Sequence, residues 1–169
     1  MTTNTDRWRK RRDEVLLDEI IRAATVVHQQ VLAGRSETTW RRCLAHELGQ
    51  RGLEPVTDVP VDLLFRGTMV PDSFRLGLLV AERIVVEVKV TDQLTPEHEA
   101  QLRTCLRLSG HHAGLLLNFG ASTLEEGARR VMADASSIMP PPHTQVREEQ
   151  VREEQVREDQ APQRSGLPQ

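Results

Sequence analysis

Ile84-Val85-Val86-Glu87-Val88-Lys89-Val90 is the stretch that decides the fold. Apart from Glu87 and Lys89 it is β-branched and apolar, as a central strand covered on both faces requires. Side chains alternate along a strand, so Val86, Val88 and Val90 face one way, into a core. Glu87 and Lys89 then stand side by side on the other face. A carboxylate and an ammonium on a central strand need a reason, because burying either charge alone is costly. Two roles fit. One is a salt-bridged pair at the margin of a sheet. The other is half of a metal-dependent hydrolase site, in which a carboxylate holds Mg2+ and a lysine steadies the attacking water or the developing negative charge.

Working upstream, Ala81-Glu82-Arg83 is a tight turn and Phe74–Val80 a second strand. Arg66-Gly67-Thr68 is another turn, and Pro55–Phe65 a first strand in which Pro60 marks an edge or a bulge. Before it the period changes to that of a helix. Val15, Leu16, Ile20, Ala23, Val26, Val27 and Val31 recur on one face of Asp13–Leu32, with Glu19 as the exception. Gly34 stops that helix. Ser36 caps a second one, which runs to Gln50 with Trp40, Leu44 and Leu48 as its apolar stripe.

Downstream, Thr95 as N-cap and Pro96 at the first helical position open a helix to Leu108, ended by Gly110. Ala113–Phe119 is nearly all apolar, as a buried strand would be. Ser122 or Thr123, with Glu125 and Glu126 at capping-box spacing, predicts a last helix reaching Ala135. The order α-α-β-β-β-α-β-α predicts an α/β domain over residues 13–139, a mixed sheet flanked by helices.

The flanks differ in composition. Residues 1–12 carry Arg7, Arg9, Lys10, Arg11 and Arg12 against Asp6, a basic N-terminal tail in a chain of net charge -3. A dedicated nucleic-acid binder usually has a basic balance overall. Here only the tail has one, so it is either a solvated segment or a nucleic-acid contact. The aromatic fraction of 3%, with no Tyr, argues against a surface that reads single strands by stacking bases on rings. Pro140-Pro141-Pro142 ends the domain, and residues 140–169 form a Pro-rich linker and a repeat, Gln145-Val-Arg-Glu-Glu in three near-copies. A five-residue period winds Val146, Val151 and Val156 around a helix instead of lining one face, so the repeat is no coiled coil. It predicts a fraying helix or disorder, or an interaction tail for a protein partner. Cys43 and Cys105 lie far apart with no CxxC, as expected of a reduced compartment. No apolar run is long enough to span a membrane, and the expected location is the cytoplasm.

Many ordered pieces of the chain resemble one family. They include Ala24-Thr-Val-Val-His28, Gly34-Arg-Ser-Glu37-Thr-Thr-Trp40, His46-Glu47-Leu48, Phe65-Arg66-Gly67 and Leu78-Leu79-Val80. After these come Glu87-Val-Lys89, Leu94 to Leu102, and Gly114 to Gly120. Over Glu19 to Arg130 the chain is similar to the GxxExxY proteins, a bacterial and archaeal family of the PD-(D/E)XK nuclease superfamily. The resemblance implies a nuclease-like core, a Mg2+ or Mn2+ cofactor and a DNA or RNA partner. It implies that Glu87 and Glu37 bind metal, that Lys89 is the catalytic lysine, and that Gln101 points to the same site. His98 would reach its rim. Each also has a plainer role: Glu37 favours the helix dipole, while Gln101 and His98 are polar groups on a helix face.

Three departures bear on activity. Where the family has a metal-binding Asp on the second strand, this chain has Gly77. Trp40 replaces the Tyr of the naming motif, and Cys105 replaces a Tyr on the following helix. Asp72 is an odd number of positions from Gly77 and faces away on a regular strand. Arg75 shares the parity of Gly77 and would bring positive charge. The expectation is an impaired nuclease that binds nucleic acid or a partner. The alternatives are a metal-dependent nuclease with an altered ligand set, and a non-enzymatic scaffold that works through its repeat.

Overall fold

The computed structural model describes residues 4–134 and Ile138, with side chains from Arg7 onward. The Pro run and the repeat, within residues 140–169, lie outside the described residues. The elements are α1 (Asn4–Gln30), α2 (Glu37–Gln50), β1 (Pro55–Phe65), β2 (Thr68–Val80), β3 (Ile84–Lys89), α3 (Pro96–Ser109), β4 (Ala113–Asn118), α4 (Leu124–Gly127) and β5 (Ala128–Met132). They build one five-stranded sheet in the order β1-β2-β3-β4-β5. β1, β2 and β3 form an antiparallel meander, β4 runs parallel to β3, and β5 returns antiparallel to β4. Parallel neighbours cannot be joined by a tight turn, and α3 supplies the crossover. Among the described residues no helix is long and apolar enough to cross a membrane.

The sheet has a core on each face. Val86 and Val88 of β3 pack with Trp40, Leu44 and Leu48 of α2 and with Leu17, Ile20 and Val27 of α1. Val85 packs with Leu102 and Leu106 of α3 on the opposite face. β3 is thus central and covered on both sides, as its sequence requires. Only Val90, beyond the strand end, is exposed.

Ser36 caps α2 by accepting from Thr39 N–H, and Gly110 ends α3 in the left-handed conformation. β1 is an edge strand, which accommodates Pro60 opposite Arg75. Expectations for three elements need correcting. β2 begins at Thr68, not Phe74, because Met69 and Val70 pair with Leu64 and Leu63 across a long hairpin. α1 begins at Asn4, so the basic cluster Arg7–Arg12 is helical. Its buried stripe is also rotated: Leu17 and Ala24 are inside, whereas Val15 is 60% exposed. The anchor for that rotation is Asp13, buried and bound by Arg83 Nη2 at 2.6 Å.

The third correction concerns the last helix. Thr123 caps it as expected, accepting from Glu126 N–H at 3.3 Å, but it ends at Gly127. A Cβ on Gly127 would stand 2.5 Å from the Asn118 carbonyl oxygen, so the chain turns back against the end of β4 there. Ala128–Met132 then continues as a strand with Val131 buried and Arg130 and Met132 exposed. The alternation is only a few residues long, too short to stand out against the helical start signal. The pairing satisfies the backbone of β4, whose outer edge would otherwise be open.

Candidate active site

Glu87 and Lys89 project from the face of β3 that α3 covers. Lys89 Nζ lies 3.3 Å from Glu87 Oε1, with the lysine 17% and the glutamate 29% exposed. Cys105 on α3 faces both groups. Burial pushes its thiol pKa up, the negative charge of Glu87 adds to that, and the positive charge of Lys89 opposes it. Gln101 stands one helical turn before Cys105 on the same face of α3 and is exposed to solvent. His98, a turn earlier, is committed to the start of its helix: its Nδ1 accepts from Thr95 N–H at 3.1 Å, closing the capping box.

Glu37 occupies the first turn of α2, where its Oε1 accepts from Val90 N–H at 3.3 Å. It therefore meets β3 just past Lys89. The neighbouring loop is fixed by Asn118, which is 2% exposed at the end of β4. Asn118 Nδ2 donates to the Thr91 carbonyl at 2.8 Å, and its Oδ1 accepts from Thr91 N–H at 3.0 Å and from Gly120 N–H at 2.9 Å. Behind α2, Trp40 stacks on Phe119 with ring centroids 4.6 Å apart and an interplanar angle of 16°. His28 joins the stack from α1.

The ladder between β2 and β3 ends at Leu78↔Val86, so Gly77 comes level with Glu87 where the two strands part. A Cβ built on Gly77 would stand 3.3 Å from Glu87 Oε2 and 3.4 Å from Arg41 Nη1. Arg41 comes from α2, is 22% exposed, and binds Asp58 of β1 through Nη2 at 3.0 Å. Its Nε is buried without a partner among the described residues. A guanidinium thus lies over the bare backbone at Gly77, beside the carboxylate of Glu87.

Arg41 and Asp58 escaped sequence reasoning. The register of β1 on β2 places Asp58 beside Gly77, between the pairs Thr57↔Leu78 and Val59↔Leu76, but that register is invisible without the pairing. Asp58 also has φ 54, a local kink that redirects its side chain. Arg75 lies on the exposed side of the hairpin, donating to Asp72 and to the Asp58 carbonyl. Asp72, bound by Arg75, brings no carboxylate to Glu87.

A divalent ion of the Mg2+ kind takes oxygen ligands and is usually held by one or two carboxylates with waters and substrate. Glu87 is the acid at the centre of this cluster, and two cationic groups adjoin it. Glu37 has one oxygen turned to a backbone N–H. Among the described residues no group of three or more His, Cys, Asp or Glu is placed to hold a metal ion. The donor set therefore does not fit a tightly held divalent ion. The arrangement positions charge around a carboxylate that already has Lys89 as its ion-pair partner.

The family model of the PD-(D/E)XK nuclease superfamily matches residues 14–131. That range runs from α1 through β5 and contains every residue of the cluster around Glu87. No curated protein and no solved structure matches the chain.

Proposed function

The chain belongs to the PD-(D/E)XK nuclease superfamily, and from that premise we propose that it is a GxxExxY-type member with an impaired cleavage site, acting by binding nucleic acid or a protein partner. One observation carries the proposal. Where a second carboxylate would join Glu87, Gly77 offers none, and the space over it is taken by the guanidinium of Arg41. A fixed cation at that point disfavours a divalent ion beside Glu87, whose own ion pair is with Lys89. Phosphodiester hydrolysis that depends on Mg2+ or Mn2+ loses both its ion and the water that the ion would activate.

A second proposal keeps the enzyme: a metal-dependent nuclease with an altered ligand set. The Lys89–Glu87 pair at 3.3 Å favours it, since both groups have the types and the strand spacing that such chemistry uses. Gln101 on the adjoining face of α3 would complete the set.

Incubation of the full chain with labelled single- and double-stranded DNA and RNA, in Mg2+ or Mn2+, separates the two. The expected result is no cutting by folded protein at high concentration. Cutting that requires metal and disappears in Glu87→Gln would establish an active nuclease and overturn the first proposal.

A further inference from the structure

The end of the sheet remote from the Glu87 cluster carries a second surface. Arg83, in the turn just before β3, and Lys89, at the far end of β3, are about 20 Å apart at the rise of a strand. At the Arg83 end, the first turns of α1 pass the β2–β3 turn and leave a groove of about 490 Å3 between them. Its wall is apolar, built by Trp8, Val15, Leu53 and Ala81, and Arg11 and Arg12 border it. Trp8 is 59% and Val15 60% exposed, a large indole and a branched side chain left open to water on one helical stripe.

The charges at this groove are not balanced within the described residues. Arg83 is held by Asp13, and Glu19 is shared by Arg22 and Arg51. Arg11 and Arg12 have no carboxylate partner among the described residues, and neither have Arg7 and Lys10 beside them. A second copy of this chain would bring the same cations to the groove and be repelled. The complementary occupant is anionic and carries flat apolar groups that can lie on an indole.

We propose that this groove binds single-stranded nucleic acid, with a base stacked on Trp8 against the apolar wall and phosphates paired with Arg11 and Arg12. The rings of a duplex are already stacked on each other, whereas those of a single strand are free to lie on Trp8. Few aromatic residues are needed, because Trp8 is the one aromatic side chain in the groove's lining and its exposed face takes one base. The site extends the binding role proposed above to a face of its own, and it does not depend on whether the Glu87 cluster cuts.

The chain has two tryptophans, and Trp40 is buried, so quenching of exposed tryptophan fluorescence reports on Trp8. Titration of the full chain with short oligothymidylate at low salt is expected to quench it saturably. By anisotropy of a labelled oligonucleotide, Trp8→Ala weakens binding by roughly ten-fold or more. Arg11→Ala combined with Arg12→Ala lowers the slope of log K against log salt by about 1.4. Arg66→Ala, at an exposed cation on the β1–β2 turn away from the groove, leaves binding unchanged, which ties the effect to Arg11 and Arg12. These side chains are exposed, so an unchanged circular-dichroism melt verifies folding of each variant. Absence of quenching overturns the proposal. So does duplex binding of equal affinity that ignores Trp8→Ala. Quenching by a peptide of residues 145–159 but not by oligonucleotide would likewise overturn it and assign the groove to an acidic segment.

Discussion

Arg41 Nη2 on α2 lies 3.0 Å from Asp58 Oδ1 on β1, and this ion pair holds a guanidinium over Gly77. A helix and an edge strand thereby meet across the point where β2 and β3 separate. The pair is partly shielded on the arginine side, with Asp58 more exposed. Its consequence lies less in stability than in what it keeps away from Glu87, since a half-exposed pair contributes little to folding.

Restoring one acid should not be enough to restore a metal site. In Gly77→Asp the new side chain starts 3.4 Å from Arg41 Nη1, so it pairs with the guanidinium. Gly77→Asp together with Arg41→Ala removes that competitor. The expected result is a Mn2+-dependent rise in melting temperature in the double variant, with little change in wild type or in Gly77→Asp. A rise of equal size in Gly77→Asp alone would show that Arg41 does not block the ion.

Cys105 can report on the charges that face it. Glu87 raises its thiol pKa and Lys89 lowers it. Glu87→Gln should therefore increase the thiolate fraction near neutral pH and speed alkylation of Cys105, while Lys89→Ala should slow it. The rates are measured by mass spectrometry of the Cys105 peptide, with Cys43 as internal reference. Equal rates in all three proteins would mean that α3 does not bring the thiol to the strand charges.

The pH dependence of stability has a predictable contribution from His111. Burial lowers its pKa from 6.5, His112 lowers it further, and the contact with Ser109 opposes both. As pH falls, the unfolded chain takes up this proton first, so the unfolded state gains. The contribution to stability is complete above the ordinary pKa of about 6.5 and is lost as pH falls through it towards the folded value. The melting temperature of wild type should drop more steeply than that of His111→Gln between about pH 7.5 and pH 5.5. Parallel curves would remove His111 from the account.

Asn118 fixes the loop that follows β3 with three hydrogen bonds from a buried position. Asn118→Ala leaves the amide and carbonyl of Thr91 without their partner and is expected to cost about 1–3 kcal/mol in denaturant unfolding. Gly120 next to it allows no alternative, since a Cβ there would stand 2.6 Å from the Thr91 carbonyl.

The sequence was most informative where local chemistry and burial agree. Ser36, Thr95 and Gly110 mark helix ends through their own hydrogen bonds or φ preference, and the valines of β3 declare a strand covered twice. Glu87 and Lys89 were found together because their spacing on one strand suffices to join them. Arg41 and Asp58 could not be found that way. They lie on different elements, and their meeting depends on a strand register and on a positive φ at Asp58. β5 was hidden for a related reason: its strand pairing is non-local, while the capping signal at Thr123 is local and real. The rotation of α1 followed from Asp13, a buried acid whose partner is 70 residues away in sequence.

The parallel pairing of β3 with β4 also sets an order in time. During synthesis β1, β2 and β3 emerge as one contiguous meander, and the far edge of β3 must wait for α3 and then for Ala113–Asn118. Throughout that interval a row of valines presents open backbone groups, the condition under which strands of different chains join. Glu87 and Lys89 break that row on one face and act as gatekeepers against such pairing. A charged pair without a metal would still guard the nascent chain against aggregation.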